Sequence, residues 1–349
     1  MNAMPLAAPP PLLDMLGARW RVGVSVASVA WDEVAAFALG DGTLALVPPS
    51  WEGAPSLRPR DGGGVELVPA TAAAPPAARI SAHHAACLSV AADPDGGFLS
   101  GGSDGRVVRV LPDAEVRVIA HLDRAVALVA AGRGGWRSCA IGRTVYRFGG
   151  AGSKIDLAGE VTSLAVEPAG ARLAIGFDGG LALWAGGDTP RVLASSGAHC
   201  VAWGARLGSC TRDGTLHAWE PAETAAAGGP VGALAVASDG FIAASGGRVL
   251  AWRPGDPPRA CGVPNKEPVT RVACHPDRML IAAGYANGAV VLCQPDTEAL
   301  LHVRAAGEGA VTALGFSPSG DHLAIGTEAG EIAVLATPDL LFRDNKRPA

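Results

Sequence analysis

The ten residues Thr211 to Glu220, TRDGTLHAWE, combine a tight Asp213-Gly214 turn, a Thr-containing strand and a Trp six residues after the Asp. The same frame recurs as GDGTLALV (Asp41, Val47), SDGRVVRV (Asp104, Val110) and FDGGLALW (Asp178, Trp184). It recurs with eroded marks as IGRTVYRF (Gly142, Phe148), SGGRVLAW (Gly246, Trp252), ANGAVVLC (Asn287, Cys293) and EAGEIAVL (Ala329, Leu335). The turn-to-turn spacings are 63, 38, 36, 35, 33, 41 and 42 residues. A period of this size is the signature of a repeat architecture in which each unit buries its apolar faces against its neighbours.

Each unit reads as a short apolar strand, a turn, a strand of small residues, the Asp-Gly-type turn and a third strand. The first strands are SVASVAW, CLSVAA, AVALVA, VTSLAV, AHCVAW, VGALAV, VTRVAC and VTALGF. Several lead into Pro- and Gly-containing turns, as in DPDGG at Asp93 and SPSGD at Ser317. There Pro presets φ and Gly takes a left-handed value. No segment shows a sustained 3.6-residue apolar period between caps, so the fold class is all-β. A hydrophobic fraction of 49% is ample for a core.

These features resemble the tryptophan-aspartate (WD) repeat family of β-propellers, over about residues 22–335. The resemblance implies four-stranded antiparallel blades, eight by unit count, or seven if the irregular unit at 125–148 is an insertion. It further implies a hydrogen-bonded network in each blade, of a His before the innermost strand, a Ser or Thr on the second strand, the turn Asp and the Trp. On this chain the matching positions are His83 and His121; Ser100 and Ser209; Asp41, Asp104, Asp178 and Asp213; and Trp184, Trp219 and Trp252. No unit holds all four. In the family the N-terminus donates the outermost strand of the last blade, which here assigns Arg19 to Ser25 to pair with Glu331 to Leu335.

The expected organisation is a loosely held Pro-rich arm (1–18), one propeller (19–343) and a short tail (344–349). A long insertion at 48–76 carries one strand, Val65 to Val68, together with Trp51 and Arg58. A smaller insertion runs from Arg253 to Pro268.

Net charge is −5, from 28 basic and 33 acidic residues without like-charge blocks, which argues against nucleic acid as partner. The N-terminal stretch lacks the basic and apolar regions of a secretory signal, and no apolar run could span a membrane, so the expected location is the cytoplasm. Three lysines against twenty-five arginines suggest a GC-rich bacterial source. Seven cysteines, an odd number without CxxC spacing, define neither a disulfide framework nor a zinc site.

Three stretches mimic chemical motifs. Gly101-Gly102-Ser103-Asp104-Gly105 fits the nucleophile elbow G-x-S-x-G, which needs a following helix, whereas the residues here alternate as strands. The run Gly149 to Lys154 lacks the order of a phosphate loop. His83, His84 and Cys87 could ligate a soft metal, but His83 already has a place in the repeat. The first strands contain no Asp or Glu and a single charge, Arg271, which argues against the channel-centred metal sites of propeller enzymes.

The sequence thus predicts no catalytic residue, cofactor or metal, and a scaffold that holds a protein partner on its rim. The resemblance places that rim on the loops before the inner strands and the turns between second and third strands: His84, Asp123, Arg124, Phe177, Arg212, Glu267, Glu308 and Glu328. The competing readings are an enzyme or small-ligand binder at the channel mouth, and metal handling through His83, His84 and Cys87.

Overall fold

At the Asp-Gly turns the backbone requires glycine twice over. Gly105 and Gly214 sit at φ 77° and 101°. A Cβ on either would lie 2.2 Å from the Leu122 carbonyl oxygen or 2.1 Å from that of Gly229, in the loop leading to the next blade. Each turn therefore reverses the chain and also docks against the following unit.

The computed structural model describes residues 9–133, 135–149, 152–194, 196–238, 240–295 and 300–342. They form eight four-stranded antiparallel sheets, each in the order inner, second, third, outer strand, plus a separate two-stranded hairpin. The inner strands of blades 1 to 8 are Val26–Trp31, Cys87–Ala92, Leu128–Gly132, Val161–Val166, Cys200–Trp203, Val231–Ala237, Val269–Cys274 and Val311–Phe316. The irregular unit is a full blade, with strands Leu128–Gly132, Trp136–Ile141, Thr144–Phe148 and Ser153–Asp156. The ring has eight blades.

Second strands such as Ala35–Leu39, Leu173–Phe177 and Ile281–Tyr285 are buried throughout, because both faces of each sheet pack on neighbours. Their wealth of Ala and Gly lets adjoining sheets approach closely. The outer strands face solvent, and Val116–His121 has no fully buried residue.

One local irregularity repeats around the channel. In blades 1, 2, 4, 6, 7 and 8 the inner strand carries a β-bulge at its second residue. Where that residue is Thr, its hydroxyl donates to a carbonyl of the next blade: Thr162 to Ala198, Thr270 to Val311 and Thr312 to Val26, each at 2.6 Å. The residue after the bulge serves the same purpose where it is Ser. Ser28 Oγ accepts the Val90 N–H at 3.0 Å, and Ser163 Oγ the Val201 N–H at 3.1 Å. Ser89, at the corresponding place in blade 2, has a buried hydroxyl with no partner among the described residues.

At the opposite end of the blades, buried Asp93 ties blade 2 to blade 3. Arg137 grips it with two bonds, Nε to Oδ2 at 2.6 Å and an Nη2 to Oδ1 at 2.7 Å. Burial raises the Asp93 pKa, but the Arg137 hydrogen bonds and charge outweigh it and hold the carboxyl below its usual range.

The ring closes through the N-terminal strand, which spans Gly17–Arg21 rather than the expected Arg19 to Ser25. It pairs antiparallel with the third strand of blade 8, Gly17 opposite Leu335 and Arg21 opposite Glu331. The segment before it is not a loose arm over Leu12–Leu16. These residues form a single helical turn whose Leu12, Leu13 and Leu16 are buried in the core shared by blades 7 and 8. Residues 1–8 and the 344–349 tail lie outside the described residues.

The 48–76 insertion holds a hairpin, Ser56–Pro59 with Val65–Val68, where a single strand was expected. Trp51 Nε1 donates to the Ala72 carbonyl at 3.0 Å and ties the base of the loop. Leu57 packs against the same blade 7–8 core as Leu341 and Phe342, and Arg58 lies exposed opposite Glu66.

Two measurements test these ties. Ser28→Ala strands the Val90 N–H and should cost about 1–3 kcal/mol in urea unfolding, whereas Ser89→Ala should be neutral or stabilising. Equal losses would contradict the seam role of Ser28. Arg137→Ala removes two charge-assisted bonds and leaves the buried carboxylate to Arg109, whose Nε lies 3.0 Å from Oδ2, and should cost about 1.5–3 kcal/mol, read as a lowered unfolding midpoint at neutral pH.

Candidate functional site

The loops before the inner strands and the turns after the second strands share one end of the ring. In blade 2 a hydrogen-bonded network fixes them. The Asp104 carboxyl is raised by burial, but the His84 and Arg106 N–H groups and His83 draw it below its ordinary value, so it is an ionised acceptor. His83 Nδ1–H accordingly donates to Asp104 Oδ1 at 3.0 Å, and Nε2 accepts the Ser100 hydroxyl at 2.9 Å. Gly102 leaves room for the ring, since a Cβ there would lie 2.4 Å from Nδ1.

Other units carry fragments. In blade 5, Trp219 Nε1 donates to Ser209 Oγ at 3.1 Å, and Asp213 accepts the Thr211 hydroxyl and, at 3.3 Å, the Thr215 N–H. Asp41 accepts the Thr43 N–H at 3.1 Å and pairs with Arg79. Asp178 is exposed at its turn. Trp184 and Trp252 direct their Nε1–H to backbone carbonyls of their own blades, Gly187 and Asp256, rather than to a Ser.

His121 does not occupy the His83 position. It ends the exposed outer strand of blade 2, opposite Arg106. The His83 N–H donates to the Gly42 carbonyl of the preceding turn and the Leu122 N–H to that of Gly105 in the same way, so Leu122 is the structural counterpart of His83. The β-bulge at Val107/Val108 lengthens the outer strand and displaces His121 from the expected register.

Of the expected rim residues, His84, Asp123, Arg124, Arg212, Glu308 and Glu328 are exposed and Glu267 is half-buried. Phe177 is not on the surface. It is 3% exposed, in the core between blades 3 and 4, because the last residue of the second strand turns its ring inward under Gly179.

Among the described residues, two clefts at this end hold charged side chains. One, of about 310 Å³, lies between blades 4 and 5 and is lined by Asp178, Ser196, His199, Arg212 and Asp213. There Arg212 Nε–H donates to His199 Nδ1 at 3.4 Å, which requires that nitrogen to be unprotonated. The other, of about 440 Å³, involves Arg19, Arg21, Arg304, Glu308 and Glu331 beside the closing strand. Arg304 is buried and bonds Glu331 through Nε at 2.8 Å. The sequence does not place His199 or Arg304 on the rim, because their position there depends on pairing between blades.

The chemical motifs dissolve in this geometry. Ser103 lies in a strand-to-strand turn with its hydroxyl directed to the Ala86 carbonyl, and no helix follows. Both ring nitrogens of His83 are engaged, and burial pushes the Cys87 thiol up to about 12. Among the described residues no group of three or more His, Cys, Asp or Glu is arranged to hold a metal. No described helix is long and apolar enough to cross a membrane. In the channel, Arg271 is exposed and donates to the Thr312 and Thr270 carbonyls, each at 2.8 Å.

An eight-bladed ring of four-stranded sheets defines a β-propeller. Residues 75–109, which contain the His83, Ser100 and Asp104 network, match the WD domain, G-beta repeat family. The fold is thus a β-propeller, and its second blade carries a WD repeat. Among solved structures it is similar to the crystal structure of the computationally designed Ika8 protein, with a TM-score of 0.70, 17% identity, and coverage of 91% of this chain and 98% of that one. That likeness is one of fold. No curated protein matches the sequence.

Burial lowers the His83 pKa while Asp104 acts to raise it, and the lowering prevails. A histidine held below its ordinary value of about 6.5 contributes stability that is complete above that pH and is lost as pH falls toward the folded-state value. His83→Gln should therefore lower stability at neutral pH and flatten its dependence between about pH 7 and about pH 5, measured by urea unfolding. An unchanged slope would remove His83 from the network's energetics.

Proposed function

We propose that this propeller is a non-catalytic platform that holds a protein partner across the turn end of the ring. The observation that carries this reading is an end with exposed residues of both signs, His84, Asp123, Arg124, Arg212, Glu308 and Glu328, around a channel whose inner strands contain no carboxylate. Mixed charge around a few anchoring side chains suits a protein surface better than a polyanion, as does the net charge of −5. The absence of inner-strand carboxylates speaks against metal-assisted hydrolysis in the channel. WD-repeat propellers commonly serve as interaction scaffolds, and a cytoplasmic location fits seven cysteines that form no disulfide.

Arg124 and Arg212 lie exposed on separate blades and make a compact test. The Arg124→Glu, Arg212→Glu variant should keep the wild-type unfolding midpoint and lose affinity for a captured partner by about tenfold or more. Quantitative pull-down from the native cell, with binding isotherms on the recovered partner, reads this out. Equal binding by both proteins would remove this face from the interaction.

A further inference from the structure

Cys200 begins the inner strand of blade 5, and Cys210 ends the second strand directly opposite it. Residues directly opposed in an antiparallel pair have Cα atoms about 4.5–5.5 Å apart and side chains on one face. That separation falls inside the about 4.4–6.8 Å range that a disulfide spans. The two thiols act on one another: Cys210 draws the Cys200 pKa down, while Cys200, together with burial, pushes that of Cys210 up. They differ in access: Cys210 is fully buried in the blade 5–6 core, whereas Cys200 is half-buried, with Sγ 3.8 Å from the Gly232 carbonyl of the next inner strand.

The surroundings single out Cys200 among the cysteines. Burial pushes the thiols of Cys87, Cys139, Cys274 and Cys293 up to about 12, which makes them inert. For Cys200 the neighbouring Cys210 thiol lowers the pKa, burial opposes it, and the Arg271 guanidinium lowers it further. Arg271 is the one charged side chain on the eight inner strands; it opens to the channel, yet the atoms packed around it still disfavour its charge.

We propose that Cys200 and Cys210 form a reversible dithiol–disulfide pair, in which Cys200 is the nucleophile, Cys210 the resolving thiol and a hydroperoxide the oxidant. The Cys200 thiolate attacks the terminal peroxide oxygen. The S–O bond forms as the O–O bond breaks, giving a sulfenic acid and, after one proton is taken up, water or an alcohol. Once the Cys200 thiolate is consumed, the leading cause that held the Cys210 thiol up is gone; its sulfur then attacks the sulfenic sulfur, the S–S bond forms, and the hydroxyl leaves with the Cys210 proton as water. Cys200 is oxidised and the peroxide reduced. External thiol returns the pair to the dithiol by exchange, as expected of a bond between adjacent strands next to a channel. Arg271 acts as a positioning residue that favours the thiolate.

The test is peroxide treatment of the reduced full-length protein, alkylation of the remaining thiols, and peptide mapping after trypsin. Arg206 lies between the two cysteines, so cleavage there leaves two peptides joined only by the bond in question. The expected result is loss of two of the seven thiols, a Cys200–Cys210 crosslinked peptide and full reversal by dithiothreitol. Cys210→Ala should instead leave a sulfenic acid on Cys200 that dimedone traps, and Cys200→Ser should abolish both products. Arg271→Met should slow wild-type-like oxidation several-fold and move its pH profile upward, which a purely structural role would not do. Seven alkylated thiols after peroxide, or separate peptides with Cys200 over-oxidised, would overturn the proposal on the wild-type protein alone.

Discussion

The pairing of Gly17–Arg21 with Glu331–Leu335 is the interaction on which the ring depends. A stack of blades left open exposes an apolar face at each end and an unpaired strand edge, both of which invite association. Here the first strand completes the last sheet, and the seam between blades 8 and 1 repeats the contacts used elsewhere. Thr312 reaches the Val26 carbonyl just as Thr270 reaches Val311, and Trp31 Nε1 donates to the Gly315 carbonyl at 2.9 Å. The closing seam is therefore built like an internal one. Leu13, 1% exposed, covers the lower edge of the blade 7–8 core.

With closure secured by backbone pairing and small-residue packing, the polar network can be sparse. One blade holds a complete His, Ser and Asp set, and another a Trp and Ser pair. The other Asp-Gly-type turns rely on glycine geometry and local bonds such as Asp41 to Thr43. A consequence for function is that most charged side chains at the turn end are not drawn into structural duty. Asp104, bound by the backbone of His84 and Arg106, is a clear exception.

Much of the fold was legible because its signal is local. An Asp-Gly turn followed by a strand needs no knowledge of distant residues, and eight such frames specify eight blades. The features that escaped need information carried by pairing. A five-residue helix such as Leu12–Leu16 is too short to show a period, so its apolar cluster gives no warning of burial. His121 was misplaced because a bulge at Val107/Val108 shifts register by a residue that spacing alone does not reveal. Phe177 precedes a turn that faces solvent, yet its side chain follows the strand's inward alternation. The recurring Val-Thr at the start of VTSLAV, VTRVAC and VTALGF was visible in the sequence. Its meaning, a hydroxyl handed across a bulge to the next blade, was not.

The closing strand also sets an order on biosynthesis. Arg21 is made early, and its sheet is complete only when Leu335 has left the ribosome, 314 residues later by chain number. At about 5–20 residues per second the first strand waits tens of seconds for its partner. Blades 1 to 7 can each pair internally in that interval, but the ring stays a crescent. Its shelter from other nascent chains therefore rests on how quickly the last blade is supplied.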